Sequence, residues 1–162
     1  MAKEATLWDW LSSAMVRAQN LERMHQRVER IESGVSFGVP DVNFTIEGCE
    51  GWIELKATDL PVRDTTRVLP SGSGLRTEQI AWHVKAQSCG TRSFILVKAG
   101  EMRWLLGGDH AMRINVYNRE QMTLCALWSL RGPACNEDCQ QLRDTLMSHK
   151  FNRGVRVMGL AK

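Results

Sequence analysis

No apolar run in the sequence approaches the roughly 18 residues that a helix needs to cross a bilayer. The first residues, Met-Ala-Lys-Glu-Ala, also lack the apolar core of a signal peptide. We therefore expect a protein that has no membrane partner and that stays in the cytoplasm where it is made.

A disulfide framework is also missing. The five cysteines are an odd number and follow no framework spacing, so reduced thiols are expected. Cys135, Cys139 and His149 are a poor zinc set, because a fourth ligand is missing and the spacing is unsuitable. Neither a secreted disulfide scaffold nor a zinc module is therefore favoured.

A strong excess of one charge is absent as well, since 21 basic residues face 18 acidic ones. The distribution is more informative than the total of +3. Residues 40–60 carry five acids with Lys56 as their only base, whereas residues 63–98 and 143–162 are mainly basic. An acidic centre that holds cations between basic flanks that hold phosphates suits the cutting of a polyanion. The alternative is that these bases are ordinary solvated surface.

The composition is otherwise that of globular proteins, with 43% hydrophobic and 24% charged residues. A chain of 162 residues without internal repeats can bury a core as a single domain. We predict one domain over residues 1–162, with its core at about residues 30–107 and a C-terminal elaboration at about residues 108–162.

Residues 38–56 contain the pattern on which a functional prediction depends. Between residues 42 and 46 apolar and polar side chains alternate, as in a half-buried strand. Residues 48–51 begin and end with glycine and predict a hairpin loop of about four residues. The alternation then resumes, so Glu54 and Lys56 should share one face while Ile53 and Leu55 occupy the other.

Such a hairpin brings residues near Asn43 opposite residues near Lys56 and moves Asp41 towards Glu54. Two carboxylates and an ammonium would then share one patch. Carboxylates and phosphate oxygens are the ligands that Mg²⁺ prefers, and a fixed ammonium stabilises negative charge that grows on a phosphate. An exposed ion pair on a strand without catalytic meaning is the alternative for Glu54 and Lys56.

The motif Pro40-Asp41, followed by Glu54-Leu55-Lys56 and by Thr-Glu-Gln at residues 77–79, resembles the PD-(D/E)XK nuclease superfamily. The chain looks most like the virus-type replication and repair nucleases (VRR-NUC) and the Holliday junction resolvase-like proteins, which phages typically encode. The resemblance covers about residues 30–98. It implies an α/β fold with a restriction-endonuclease-like core, in which a mixed central sheet flanked by helices follows the order αβββαβ, here with extra C-terminal helices.

The resemblance also implies roles for individual residues. Asp41, Glu54 and the backbone carbonyl of Leu55 would bind Mg²⁺ or Mn²⁺, Lys56 would be catalytic, and Gln79 would support the site. Members usually carry one more acidic residue upstream, often on the first helix. The candidates here are Glu4, Glu22, Glu29 and Glu32. Among these we favour Glu32, which lies just before the glycine-rich approach to Asp41, and an ordinary solvated glutamate is the alternative.

The resemblance therefore implies a metal-dependent endodeoxyribonuclease that hydrolyses phosphodiester bonds and is selective for branched DNA. It also implies a homodimer, because paired cuts need two sites. It would work in the host cytoplasm if a phage encodes it. The alternatives are a restriction-like nuclease for duplex DNA and a catalytically silent nucleic-acid-binding protein of the same fold. The basic residues expected at the DNA are Arg63, Arg67, Arg76 and Lys85.

The rest of the chain predicts secondary structure around this centre. Residues 4–19 have helical spacing, residues 21–31 fit a helix, and the family comparison starts the first strand at residues 30–37. Residues 58–74 read as a long loop, either a DNA-contacting flap or a disordered connection. A helix capped by Thr77 should start at Glu78. Its inward stripe should be Ile80, Ala81 and Val84, with His83 at the surface.

Beyond residue 90 the sequence predicts alternating strands and helices. Residues 93–98 are nearly all apolar and suit a central strand, with a partner at residues 102–106. Residues 107–118 should be irregular and residues 120–130 helical. Asn136 should cap a further helix that buries Cys139, Leu142 and Leu146, and residues 155–160 suit a last strand.

Overall fold

The computed structural model describes residues 2–32 and 37–148. In these residues one mixed sheet has the strand order β1-β2-β3-β4-β5-β6 and helices pack on its faces. The elements are α1 Ala2–Leu21, β1 Gln26–Arg30, β2 Val42–Ile46, β3 Cys49–Thr58, α2 Thr77–Ser88, β4 Ser93–Ala99, β5 Met102–Gly107, α3 Arg119–Cys125, β6 Trp128–Arg131 and α4 Asn136–Ser148, with short 3₁₀ turns at Gly108–His110 and Ile114–Val116.

The first six elements follow the order αβββαβ. Strands β3 and β4 are parallel, and every other neighbouring pair is antiparallel. The parallel pair needs a crossover, which α2 supplies between the two strands. The predicted fold class, an α/β protein with a restriction-endonuclease-like core, a mixed sheet and extra C-terminal helices, is therefore confirmed.

Each face of the sheet buries its own apolar cluster. Helices α1 and α4 cover one face, where Leu7 and Leu142 pack with Phe44 and Leu55. On the other face Trp104 packs with Met122 of α3 and with Leu69 of the segment between β3 and α2. The predicted helix at residues 4–19 is thus confirmed, and the predicted inward residues of α4 are buried.

The first strand lies earlier than predicted. Strand β1 ends at Arg30, where the family comparison starts it, and residues 26–30 are not helical. Val28 pairs with Phe44 in the β1–β2 ladder and packs against the core under α1. Apolar residues three or four positions apart fit a helix. Residues 26–30 instead complete the edge of the sheet, and this tertiary pairing overrides the local pattern.

The hairpin between β2 and β3 is tighter than predicted. Its turn consists of Glu47 and Gly48 alone, both with positive φ values of 47° and 77°, as in a two-residue hairpin. Gly51 belongs to β3 and pairs with Phe44. A Cβ atom at Gly51 would lie 2.4 Å from the ring of Phe44, so this glycine serves packing rather than a turn.

The C-terminal part departs from the predictions at three points. The predicted helix at 120–130 ends at Cys125, and Trp128 starts β6, where it pairs with Leu105. Helix α4 begins at Asn136 as a helical residue, and the Asp138 carboxylate caps it by accepting from the Cys135 N–H at 2.8 Å. Arg143 is buried and ion-paired with Glu22 at 2.7 Å, so it is not part of a basic surface.

The predicted strand at residues 155–160 lies outside the described residues. Residues 108–118 are irregular apart from two 3₁₀ turns, as predicted. Within residues 2–32 and 37–148, no helix is both long and apolar enough to span a membrane.

Candidate metal centre

Asp41 lies just before β2, beside the middle of β3. The pair Val42–Ile53 is the last of the β2–β3 ladder, so Asp41 follows next to Glu54 and Leu55. The Asp41 Oδ2 atom accepts a hydrogen bond from the Leu55 N–H at 2.9 Å. The approach of Asp41 to this part of β3 was predicted, although the shorter turn pairs Asn43 with Trp52 rather than with residues near Lys56.

Glu54 and Lys56 point to the same face of the sheet, as the alternation predicts. Glu54 is 0% exposed and Lys56 is 8% exposed. The Lys56 Nζ atom lies 3.0 Å from Glu54 Oε1. This buried pair replaces the exposed ion pair that was the alternative interpretation of these two residues.

Gln79 joins the pair from the first turn of α2. Its Nε2 atom donates to Glu54 Oε1, and its Oε1 atom accepts from the Arg76 N–H at 2.9 Å. Because the side-chain oxygen is bound to a backbone donor, the amide must present its NH₂ group to Glu54. Helix α2 begins at Thr77 rather than Glu78, and its N-cap is Arg76.

Helix α2 turns a polar side towards the sheet. Its buried residues are Gln79, His83 and Ala86. Of the predicted inward residues, Ile80 is partly buried against the core, whereas Ala81 and Val84 are exposed. The part of the sheet beneath the helix carries Glu54 and Lys56, so polar side chains of the helix find their partners there. Gly38 fixes this packing, because a Cβ atom on it would lie 2.4 Å from the Glu78 carbonyl oxygen.

The environment of Glu54 favours its neutral form in the absence of a cation. The pKa of the Glu54 carboxyl is raised to about 8, mainly by burial and then by the charge of Asp41, while Lys56 acts in the opposite direction. Glu54 Oε2 is buried and has no hydrogen-bond partner among the described residues. An unpartnered buried oxygen costs about 1–3 kcal/mol, more when charged, and a bound cation would remove that cost.

Asp41, Glu54 and the Leu55 carbonyl form a donor set that fits a hard divalent cation. The Leu55 N–H points to Asp41, and within a strand the N–H and C=O groups of one residue face the same side. The carbonyl therefore faces the gap where β2 has ended. Two carboxylates and a carbonyl are oxygen ligands of the kind that Mg²⁺ takes, with waters completing the coordination. Among the described residues no three His, Cys, Asp or Glu side chains group as a metal site.

A further acidic residue reaches the centre from α1. Glu4 Oε1 lies 3.8 Å from Lys56 Nζ, and the charge of Glu4 contributes to the raised pKa of Glu54. Glu4 was one of four candidates from the sequence, and its position on the first helix was the available signal. The favoured candidate, Glu32, is exposed after β1, and its role stays a prediction.

His83 is buried one helical turn beyond Gln79, although the sequence predicted a surface position. Its Nδ1 atom lies 3.0 Å from Ser93 Oγ, and burial lowers the pKa of His83 to about 4 with help from the charge of Lys56. Gly108 leaves room for this contact, since a Cβ atom there would lie 2.0 Å from Ser93 Oγ. The spacing of four residues from Gln79 was the signal that could have identified its inward face.

The four basic residues expected at DNA are all exposed. Arg67 and Arg76 line one cavity on the segment between β3 and α2, which neither Arg63 nor Lys85 lines. This segment is anchored, because Val68 and Leu69 are buried in the core and the Val68 N–H donates to the Tyr117 carbonyl at 2.8 Å. The segment is therefore ordered, which argues against a disordered connection, and its contact with DNA as a flap stays a prediction.

No protein-family model and no curated protein sequence matches the chain. Among solved structures the chain is similar to Hjc of Archaeoglobus fulgidus, a Holliday junction resolvase from an archaeal hyperthermophile. The two share 17% sequence identity with a TM-score of 0.46, and the similarity covers 76% of this chain and 91% of that chain. A proposal of function for this chain therefore has to stand on the cluster around Glu54.

Proposed function

We propose that the chain is a metal-dependent DNA endonuclease that hydrolyses phosphodiester bonds at the cluster of Asp41, Glu54, Lys56 and Gln79. The observation that carries the proposal is the bonding of Glu54. Its buried Oε1 atom is shared by Lys56 and Gln79, and its buried Oε2 atom has no partner among the described residues. The charge of Asp41 also acts on this carboxyl group. A buried carboxylate arranged in this way is suited to binding a divalent cation.

The residues that would hold Mg²⁺ or Mn²⁺ are Asp41, Glu54 and the carbonyl of Leu55. Such a cation supplies a water of lowered pKa and positive charge beside the phosphate oxygens. Gln79 orients Glu54 through its donated hydrogen bond. Ion pairs with Glu54 and Glu4 hold the Lys56 ammonium at a fixed place, where it stabilises negative charge that develops on the scissile phosphate.

DNA as the substrate is supported by the charge arrangement and by the sequence motif. The cluster contains the carboxylates of Asp41 and Glu54, and Glu4 contacts its Lys56. Four basic residues are exposed on the segment and helix that follow β3, namely Arg63, Arg67, Arg76 and Lys85. The preference for branched DNA and the homodimer come from the family resemblance of the sequence alone. Glu32 remains a candidate for the upstream acidic role, beside Glu4.

The deciding experiment is cleavage of a labelled panel consisting of a four-way junction, a flap, a single strand and a linear duplex. Each substrate is incubated with Mg²⁺, Mn²⁺ or EDTA, with Lys56→Ala as the inactive control. We expect metal-dependent cutting of the junction that the substitution abolishes. Cutting of linear duplex into discrete fragments would favour the restriction-like alternative, and tight binding without cutting would favour the catalytically silent one.

A further inference from the structure

A small cavity lies on the segment that connects β3 to α2. Its volume is about 210 Å³, and its walls include Arg67, Ser71, Arg76 and Asn115. Among the described residues that line it there is no acidic side chain. Two guanidinium groups without a carboxylate among the lining residues favour an anion over a cation at this place.

The shape of the cavity is fixed by hydrogen bonds rather than left to a loose loop. The Asn115 side chain clamps Leu75 twice, because its Oδ1 accepts from the Leu75 N–H at 2.8 Å and its Nδ2 donates to the Leu75 carbonyl at 2.9 Å. Gly74 allows this close approach, since a Cβ atom on it would lie 2.5 Å from Asn115 Oδ1. An anion that binds here therefore orders little additional chain, which favours affinity.

The two arginines retain free donors for a ligand. The Arg67 NH2 group donates one hydrogen bond to Ser71 Oγ at 2.9 Å, and Arg76 is exposed. A guanidinium has five N–H donors in a planar fork that matches phosphate oxygens. The positive end of α2 at Thr77 adds to the attraction, and the acidic side chain of that first turn, Glu78, does not line the cavity.

The cavity is connected to the metal centre through one residue. The Arg76 N–H donates to Gln79, which in turn donates to Glu54. We propose that the cavity between Arg67 and Arg76 binds one phosphate group of the DNA strand, and thereby sets the position of that strand over Glu54. The proposal rests on the function proposed above and names the group of the substrate that this part of the protein recognises.

The test measures DNA binding in EDTA, where no cleavage occurs, for labelled oligonucleotides over a range of salt concentrations. Arg67→Gln and Arg76→Gln should each weaken binding roughly tenfold and reduce the salt dependence by about one phosphate contact. Arg131→Gln, which removes an exposed arginine from the end of β6, is the matched control and should change neither value. Arg67→Lys and Arg76→Lys keep the charge but lose the fork, so they should recover only part of the affinity.

Two outcomes would overturn the proposal. One is that the glutamine variants bind like Arg131→Gln, and the other is that the lysine variants bind like the wild type, which would mean general attraction to a basic surface. Asn115→Ala removes the clamp without changing the charge and should also weaken binding. Binding of an oligonucleotide with a 5′-phosphate is compared with binding of the same oligonucleotide with a 5′-hydroxyl. Weaker binding of the 5′-hydroxyl form would mean that the cavity holds the terminal phosphate, and equal binding would mean that it holds an internal one.

Cleavage is measured separately on the same variants with Mg²⁺. Weakened binding in the arginine variants of a protein that never cleaves would support the phosphate cavity and refute the nuclease. Normal binding by those variants in a protein that does cleave would refute the cavity and leave the nuclease in place.

Discussion

Gln79 on α2 donates a hydrogen bond to Glu54 on β3 while its own oxygen is held by the backbone of Arg76. The Gln79 side-chain amide thus joins the first turn of α2 to the middle of β3, and only one orientation of this amide makes both hydrogen bonds. Any change that alters this amide changes the direction in which Glu54 presents its free oxygen.

Gln79→Ala should therefore lower metal affinity or cleavage by about 10–100-fold, as is typical for residues that orient a metal ligand. The cause is the loss of the donor to Glu54, not a loss of the ligand itself. Val84→Ala, an exposed change on the same helix, is the control and should leave both values unchanged. Binding of Mg²⁺ by titration calorimetry, together with the cleavage rate, would check this, and equal effects of the two variants would contradict it.

The pH dependence of stability should reveal Glu54. Its pKa is about 8 in the metal-free folded protein, above the ordinary value of 4.5, so between these values the folded state binds the extra proton. The free energy of unfolding in EDTA should therefore be highest below pH 4.5 as far as this group is concerned. It should fall by a few kcal/mol as the pH rises through 8.

Glu54→Gln removes this titration and should remove that fall in stability. Denaturant unfolding of both proteins from pH 5 to about pH 9 measures the difference. Added Mg²⁺ should raise the stability of the wild type at high pH, because the cation binds the ionised folded state. It should leave the stability of Glu54→Gln unchanged. Parallel curves for the two proteins in EDTA would show that Glu54 does not titrate in this range.

Asp41 has two roles that a pair of substitutions can separate. Its carboxylate holds the Leu55 N–H, which an amide oxygen can also do, and it supplies a charge for the cation, which an amide cannot. Asp41→Asn should thus stay folded with stability within about 1 kcal/mol of the wild type and lose cleavage by about 100-fold or more. Asp41→Ala should lose both, as unfolding and cleavage assays would show. Cleavage by Asp41→Asn at the wild-type rate would remove Asp41 from the metal set.

The sequence was sufficient for the parts of the centre that depend on local alternation. The shared face of Glu54 and Lys56 follows from a period of two within one strand, and the structure has it so. The predicted turn was too long because glycine is common in turns and Gly51 was taken for a turn residue. In the structure its missing side chain leaves room for the ring of Phe44 on the neighbouring strand. The sequence alone does not show whether a glycine is needed for close packing or for a turn.

The inward side of α2 was predicted only in part, because the prediction followed its apolar residues rather than the spacing of Gln79 and His83. Of the expected apolar stripe, only Ile80 packs against the core, whereas Ala81 and Val84 are exposed. Gln79 and His83 are buried instead, on the side that meets Glu54 and Ser93. Glu4 was one of four candidates from the sequence but could not be preferred, because its contact with Lys56 depends on how α1 packs across β3. Both contacts depend on which residues lie opposite in the fold, and the neighbouring residues in the sequence do not indicate this.

The two candidates for the upstream acidic role can be compared directly. Glu4 contacts Lys56, whereas Glu32 is exposed. Glu4→Gln should therefore slow cleavage by roughly tenfold, since Lys56 loses one of the charges that hold it, and Glu32→Gln should have little effect. Cleavage rates at saturating Mg²⁺ would decide between them. A large loss in Glu32→Gln alone would return the role to Glu32.

A substitution at Gly38 tests whether the contact between α2 and the chain before Asp41 is needed for stability and cleavage. It has a φ of 86°, and a Cβ atom would lie 2.4 Å from the Glu78 carbonyl oxygen in the first turn of the helix. Gly90 has a φ of 74°, but a Cβ atom there would meet nothing within 4 Å. Both substitutions to alanine carry the backbone cost of about 1 kcal/mol, but only Gly38→Ala must also move α2.

We therefore expect Gly38→Ala to lower the free energy of unfolding by about 1–3 kcal/mol more than Gly90→Ala, as overpacking does. It should also reduce cleavage, since a displaced α2 takes Gln79 away from Glu54. Denaturant unfolding and the cleavage assay check the two parts independently. If both variants were equally stable and equally active, the contact between Gly38 and the first turn of α2 would have no part in positioning Gln79.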